Sequence, residues 1–141
     1  MGFTFSQRSM SKLETCHVDI QKVMLRAIEI THVDFGISEG YREISRQQEL
    51  WSRGRNQEGQ VINPADVVTH IDGITTLGKH NHSPSLAVDI YGWTGKIDYS
   101  EPVMHYLAGL ILGVAKDLGV DLNWGGFWKN FKDMPHYELV G

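Results

Sequence analysis

Histidine and acidic residues are grouped at two places in this 141-residue chain, near its middle and near its C-terminal end. In the middle, His82 precedes Asp89 by seven residues, and near the end Asp133 precedes His136 by three. Asp89 lies in an apolar segment with strand-like alternation, where a carboxylate is costly unless it is hydrogen-bonded, paired or bound to a metal. Imidazole and carboxylate side chains are common ligands of catalytic zinc, so the two clusters of residues together indicate metal chemistry.

Catalytic zinc sites commonly use three protein ligands, keep a fourth position for water, and need a nearby base that is not itself a ligand. The sequence predicts His82, Asp89 and His136 as the ligands and Asp133 as the base. Glu138 shares one face of a predicted strand with His136 and is a candidate for orienting a histidine ligand. On spacing alone, two unrelated surface clusters remain the alternative.

The elements that must position these residues follow from hydrophobic periodicity and capping signals. Helical spacing predicts helices over 11–29, over 45–53 with Ser45 as N-cap, and from the N-cap Ser100 to Leu118. Alternating apolar residues predict strands over four ranges, 34–41, 86–91, 120–124 and 136–140.

Residues 54–81 are rich in glycine and polar residues and show little periodicity, which predicts a long loop that leads into the first ligand. Helices precede scattered strands without regular βαβ alternation. We therefore expect one catalytic domain, residues 1–141, of the α+β class, with a small antiparallel sheet flanked by helices.

Composition excludes several classes of protein. The net charge of −4 argues against nucleic-acid binding, which usually needs a basic face. No apolar run approaches the roughly 18 residues of a membrane span, so we expect no stable membrane association. The N-terminus has no apolar segment of the secretory kind, and we expect no signal peptide. We also expect a monomer.

Four blocks of residues, in order along the chain, match a known family. The first is Gly40-Tyr-Arg42 followed by Gln47-Gln-Glu-Leu-Trp-Ser-Arg-Gly-Arg55. The second, from His80 to Asp89, is similar to Ser-x-His-x-x-Gly-x-Ala-x-Asp, with His80 for the serine and Ser85 for the glycine. The third is Trp124-Gly-Gly-Phe-Trp128, and the fourth, Asp133 to Leu139, matches Asp-x-Pro-His-aromatic-Glu-Leu throughout.

These blocks resemble the zinc D-alanyl-D-alanine carboxypeptidase and dipeptidase (VanY-like) family, in particular its phage endolysin branch of L-alanyl-D-glutamate endopeptidases. The resemblance implies a Hedgehog/DD-peptidase-like fold, one Zn²⁺ ion, and hydrolysis of the stem peptide of peptidoglycan. It implies that Arg42 binds the substrate or stabilises the oxyanion, and that Gln47 supports the site. It further implies a lysin that stays in the host cytoplasm until membrane permeabilisation and then acts on the periplasmic cell wall.

Two alternatives to the endopeptidase remain at the level of sequence. One is a D,D-carboxypeptidase or dipeptidase that trims terminal D-Ala, and the other is a non-catalytic, zinc-stabilised binding domain. His80 also competes with His82 for the metal. The seven-residue spacing of the family motif favours His82 over His80, which precedes Asp89 by nine residues.

Overall fold

The computed structural model describes residues 2–141, and these form four α-helices and five β-strands. The helices are α1 (Gln7–Leu13), α2 (Val18–Ile30), α3 (Ile44–Ser52) and α4 (Glu101–Asp117). The strands are β1 (Asp34–Glu39), β2 (Ala87–Trp93), β3 (Ile97–Asp98), β4 (Leu122–Trp124) and β5 (His136–Leu139). Single 3-10 turns lie at Pro64–Asp66, Lys79–Asn81 and Gly125–Phe127. The α+β prediction is confirmed.

The strands form one antiparallel sheet in the order β1-β2-β5-β4, and β3 pairs with the end of β2. Asp89 on β2 is in register with Glu39 on β1 and with His136 on β5. Residues that face each other across neighbouring strands project to the same side of a sheet. The sheet therefore places three polar residues in a row on one face.

The opposite face of the sheet is the hydrophobic core. Val88, Ile90 and Tyr137 are fully buried there, as the alternation in the sequence predicted. Helices α2 and α4 cover this face with side chains that include Met24 and Leu107, both with no exposed surface. Burying one such side chain contributes about 1.5–3 kcal/mol, so the core holds β2 and β5 firmly in place.

The helix predicted over 11–29 is wrong in one respect, because the chain breaks between α1 and α2. The Thr15 hydroxyl donates a hydrogen bond to the Lys12 carbonyl, a side-chain bond that competes with helix continuation. Cys16 then forms an isolated parallel bridge with Ser85, and His17 caps α2 by accepting a hydrogen bond from the Asp19 amide.

Smaller differences concern the ends of elements. Helix α3 begins at Ile44 with Glu43 as N-cap, so the predicted N-cap Ser45 lies inside the helix. Strand β3 was not predicted, since two residues give no periodic signal. None of the helices in residues 2–141 combines the length and apolar character that a membrane span requires.

Candidate metal centre and active-site cleft

Three side chains converge on one point at the open face of the sheet: His80, Asp89 and His136. Nε2 of His80 lies 3.3 Å from Oδ1 of Asp89 and 3.3 Å from Nδ1 of His136. Nδ1 of His136 lies 3.0 Å from the same Asp89 oxygen. Both imidazoles are buried, and the group has the composition and the geometry to hold a metal ion.

Two of these side chains are placed by the sheet and one by a turn. Asp89 and His136 are directly paired between β2 and β5, so the backbone ladder sets their separation. His80 belongs to the 3-10 turn Lys79–Asn81, which is fixed by backbone contacts. The Arg42 amide donates to the His80 carbonyl at 2.7 Å, and Nδ2 of Asn81 donates to the Arg42 carbonyl at 2.9 Å.

Each histidine is oriented by a bond from its other ring nitrogen. Nδ1 of His80 lies 2.7 Å from the Gly40 carbonyl oxygen, which can only accept, so this nitrogen carries the proton. Nε2 of His136 lies 2.8 Å from Oε1 of Glu138, which likewise favours a proton on Nε2. When a metal replaces any further proton, the lone pairs of His80 Nε2 and His136 Nδ1 face the shared point, as metal-binding histidines require.

The electrostatics of the group favour a cation at this point. Burial alone lowers the pKa of His136, but hydrogen bonds to Asp89 and Glu138 outweigh it and raise that pKa to about 9. Burial raises the pKa of Asp89, yet hydrogen bonds to His136 and His80 bring it well below its usual range. A site that binds a proton this strongly suits a positively charged ligand.

The structure differs from the sequence prediction at the first histidine, because His80 and not His82 joins the cluster. His82 follows the 3-10 turn, and its side chain is exposed. Residues 82–84 bulge outward before the chain returns at the buried Ser85. This bulge accounts for the nine-residue spacing, two residues more than the family motif allows. The turn-forming sequence around Pro84 was the signal for such an extension.

Ser85, which stands in place of the motif glycine, has no positive φ. Its amide donates to the Thr15 carbonyl, and its hydroxyl donates to the Ala87 carbonyl at 2.7 Å. The serine therefore ties the end of the bulge to the core without strain.

Arg42 lies beside the cluster in a network of polar contacts. Nε and Nη2 of Arg42 donate to Glu39, and Nη1 donates to Oε1 of Gln47 at 2.9 Å. Nη2 lies 3.9 Å from Oδ2 of Asp89. Gln47 is itself buried and donates from Nε2 to the Ile71 carbonyl at 2.7 Å. Glu39 was not identified from the sequence, where nothing distinguishes it from other exposed carboxylates.

Asp133 is half-buried on the segment that precedes β5. Its amide donates to the Gly125 carbonyl, and Nε1 of Trp124 donates to the Met134 carbonyl at 2.6 Å. A Cβ at position 125 would collide with the Asp133 carbonyl, so glycine is required there. Burial, and next the charge of Asp89, raise the pKa of Asp133. A carboxylate with a raised pKa beside a metal site is suited to proton transfer.

The cluster opens into a cleft of about 840 Å³. One wall is formed by residues 67–71 and 77–79 of the long loop, and the other by Trp128 and residues 131–133. Arg42, Gln47 and Asp133 line the cleft together with the three cluster residues, whereas His82 does not. Glu138 also lines the cleft, so among the site residues predicted from the sequence only His82 lies outside it.

Comparison with known proteins agrees with this arrangement. The family described as phage L-alanyl-D-glutamate peptidase matches residues 1–140. The chain is 31% identical over 124 residues to the peptidoglycan L-alanyl-D-glutamate endopeptidase CwlK of Bacillus subtilis (strain 168). That match covers 77% of this chain and 62% of CwlK, so the chain spans less than two thirds of its length.

Two further proteins are similar over nearly the whole chain. The L-alanyl-D-glutamate peptidase of Escherichia phage T5 is 26% identical over 141 residues, which is 99% of this chain and 90% of that protein. The crystal structure of the Serratia marcescens L-Ala D-Glu endopeptidase ChiX superposes with a TM-score of 0.74 at 25% identity. It covers 97% of this chain and 90% of that one. The chain belongs to the phage L-alanyl-D-glutamate peptidase family.

Proposed function

We propose that this protein is a zinc-dependent endopeptidase that cleaves the bond between L-Ala and D-Glu in the stem peptide of peptidoglycan. The observation that carries this proposal is the convergence of His80, Asp89 and His136 in a cleft that also contains Asp133. The family match and the activities for which the three similar proteins are named support the choice of substrate.

The donor set supports zinc as the metal. A tetrahedral zinc site with bonds of about 2.0–2.1 Å separates its ligand atoms by about 3.3 Å. The donor atoms of the cluster are 3.0–3.3 Å apart, close to that value. Two histidines and one carboxylate also leave a fourth position for water or substrate, which is typical of catalytic zinc sites.

When bound, zinc supplies Lewis-acid polarisation, which lowers the pKa of water in the site to about 7. Asp133 then accepts the proton of the attacking water and passes it to the amine of D-Glu as the peptide bond breaks. The raised pKa of this carboxyl group suits both steps, because it brings the acid and base forms closer in energy at neutral pH.

Arg42 is suited to stabilise the oxyanion that forms on the L-Ala carbonyl. Three of its five N–H groups are held by Glu39 and Gln47, which fixes the guanidinium plane and leaves two for the substrate. Glu138 orients His136 through the bond to Nε2. Gln47 serves as a support of Arg42.

The experiment is digestion of a purified muropeptide by the zinc-loaded protein, with new termini identified by mass spectrometry. We expect a new N-terminal D-Glu and a new C-terminal L-Ala, and loss of both products on chelation. Asp133→Asn should reduce kcat by about 10²–10⁴-fold while the metal stays bound. Asp117→Asn, at an exposed carboxylate on α4, is the matched control and should retain activity.

Other products would assign a different function. Release of free D-Ala would identify a carboxypeptidase that uses the same site. A folded, zinc-loaded protein that gives no products would identify the metal as structural.

We also propose that the protein acts as a phage lysin, held in the host cytoplasm until the membrane is permeabilised and then acting on the cell wall as a monomer. The similarity to the phage T5 peptidase supports this role. Light scattering of the purified protein tests the monomer, and lysis of permeabilised cells compared with intact cells tests the requirement for permeabilisation.

A further inference from the structure

Most charged side chains that line the cleft are already bound to other groups of the protein. Asp89 and Glu138 contact the two histidines of the cluster. Arg42 is paired with Glu39, and Nζ of Lys79 donates to the carbonyls of Leu139 and Gly141. Asp89, Glu138 and Lys79 therefore have little capacity left for a charged ligand, and the two remaining N–H groups of Arg42 are assigned to the oxyanion.

Lys132 differs from these groups. It lines the cleft with an exposed side chain, and within residues 2–141 no carboxylate lies within ion-pair distance of it. It directly precedes Asp133, the residue placed above as the proton donor to the leaving amine. The cation is therefore available to a ligand in the same cleft that Asp133 lines.

The segment that carries Lys132 is anchored on both sides of it. The ring of Phe131 packs edge to face against His70 of the loop 54–81, with centroids 4.6 Å apart. Asp133 is held by the Gly125 carbonyl, as described above. Lys132 thus projects from a segment with a contact on each side of it, and its four-carbon stem gives the ammonium group reach into the cleft.

The substrate of the proposed function has an anion at the matching place. Glutamate has two carboxyl groups, and only one of them can continue the peptide. The other remains a free carboxylate on the same residue that supplies the leaving amine. The L-Ala side of the scissile bond carries no such charge, so the two sides of the bond differ electrostatically.

We propose that Lys132 determines specificity by binding the free carboxylate of the D-Glu residue on the leaving-amine side of the bond. This inference rests on the proposed function. The contact between Lys132 and this carboxylate orients the substrate, with D-Glu along the wall that carries Lys132 and Asp133. It also makes the enzyme discriminate between stem peptides with a free carboxylate and those in which it is amidated.

The test uses two synthetic stem peptides that differ only in this group, one with the D-Glu carboxylate and one with the carboxamide. The wild-type, zinc-loaded protein should cleave the acid with a kcat/KM about 10-fold higher than the amide. Lys132→Met, which keeps the length of the side chain without its charge, should bring the ratio close to one. Lys132→Glu should reverse it.

Lys129→Met is the matched control, since Lys129 is an exposed lysine of the same segment that does not line the cleft. It should keep the wild-type ratio. Equal cleavage of both peptides by the wild type, or an unchanged ratio in Lys132→Met, would overturn the inference while leaving the proposed function intact. Cleavage of neither peptide by the folded, zinc-loaded wild type would overturn the proposed function and the inference with it.

Discussion

The sheet and the loop 54–81 both contribute to the candidate metal centre, but they are held in place by different forces. Strands β2 and β5 carry Asp89 and His136, and their opposite face is packed into a core of fully buried side chains. The loop carries one wall of the cleft and leads into His80, and among its apolar side chains only Val67 is buried.

Polar contacts replace core packing in the loop. Gln47 donates to the Ile71 carbonyl, Nη1 of Arg55 donates to the Thr69 carbonyl at 3.1 Å, and His80 donates to the Gly40 carbonyl. A net protein hydrogen bond contributes only about 0.5–1.5 kcal/mol. The loop should therefore open far more readily than the sheet, since two of the candidate ligands are held by core packing and the third by hydrogen bonds.

The largest expected effect separates the two histidines at the end of the loop. His80→Ala removes a donor atom and should weaken zinc binding by more than about 100-fold, beyond the loss expected for an outer contact. His82→Ala should bind zinc as the wild type does, because its side chain is exposed. Competition with a chromophoric chelator measures both. Weak zinc binding by His82→Ala together with normal zinc binding by His80→Ala would show that His82 is the ligand, as the motif spacing predicted.

A smaller effect is expected at the sheet. Glu138→Gln removes the charge that orients His136, and zinc affinity should fall by about 10–100-fold. The backbone of β5 stays in its ladder, so the zinc-free protein should lose only the pairing of Glu138 with His136, and its thermal unfolding should change less than its zinc affinity. Glu58→Gln, at an exposed position of the loop, is the control. A loss of stability as large as the loss of affinity would mean that Glu138 acts on the fold.

Gln47→Ala tests how the loop is held. The substitution leaves the Ile71 carbonyl without its donor and Arg42 without one acceptor, at a cost of about 1–3 kcal/mol. Amide hydrogen exchange should become faster in the loop 54–81 and stay unchanged in β2 and β5. Gln48→Ala, at the exposed neighbouring position, should leave exchange in both regions as in the wild type. An equal increase in the exchange rate of the loop and of the strands would show that both are held in the same way.

Tyr137 provides a test within the sheet. Its hydroxyl is buried, and within residues 2–141 no hydrogen-bond partner contacts it. Removing it in Tyr137→Phe should leave the free energy of unfolding unchanged or raise it by up to about 1 kcal/mol. Chemical denaturation measures this change. A clear loss of stability would indicate a partner such as a bound water.

Removal of the metal should leave the rate at which alkylating reagents modify Cys16 unchanged. Cys16 is buried, and its thiol contacts the Ala87 carbonyl at the start of β2. Burial raises the pKa of this thiol to about 12, so at pH 8 the reactive thiolate is scarce. Opening of the loop alone should leave it protected, and only global unfolding should expose it. Rapid alkylation of the chelated, folded protein would show that metal loss also loosens the core.

The sequence predicted the part of the site that the sheet determines. Asp89 and His136 lie on strands in which apolar and polar residues alternate, so the alternation alone shows which side chains face away from the core. A shift of one residue in the pairing would bury the polar side chains, which restricts the register in which the strands can pair. His80 could not be chosen in the same way, because a loop can span a given distance with seven residues or with nine. Glu39 was missed since its role depends on pairing between β1 and β2, which no local pattern reveals. The break between α1 and α2 depends likewise on a contact with the distant Ser85.

The mixed origin of the three candidate ligands gives metal binding a part in the stability of the cleft wall. By mass action, a ligand present at 100 times its dissociation constant stabilises the state that binds it by about 2.7 kcal/mol. Here that free energy adds to the hydrogen bonds that hold His80 and the loop behind it, since the strands that carry Asp89 and His136 are already held by the core. On the proposed function, metal binding should therefore make the loop wall of the cleft open less often, as well as supply the chemical step.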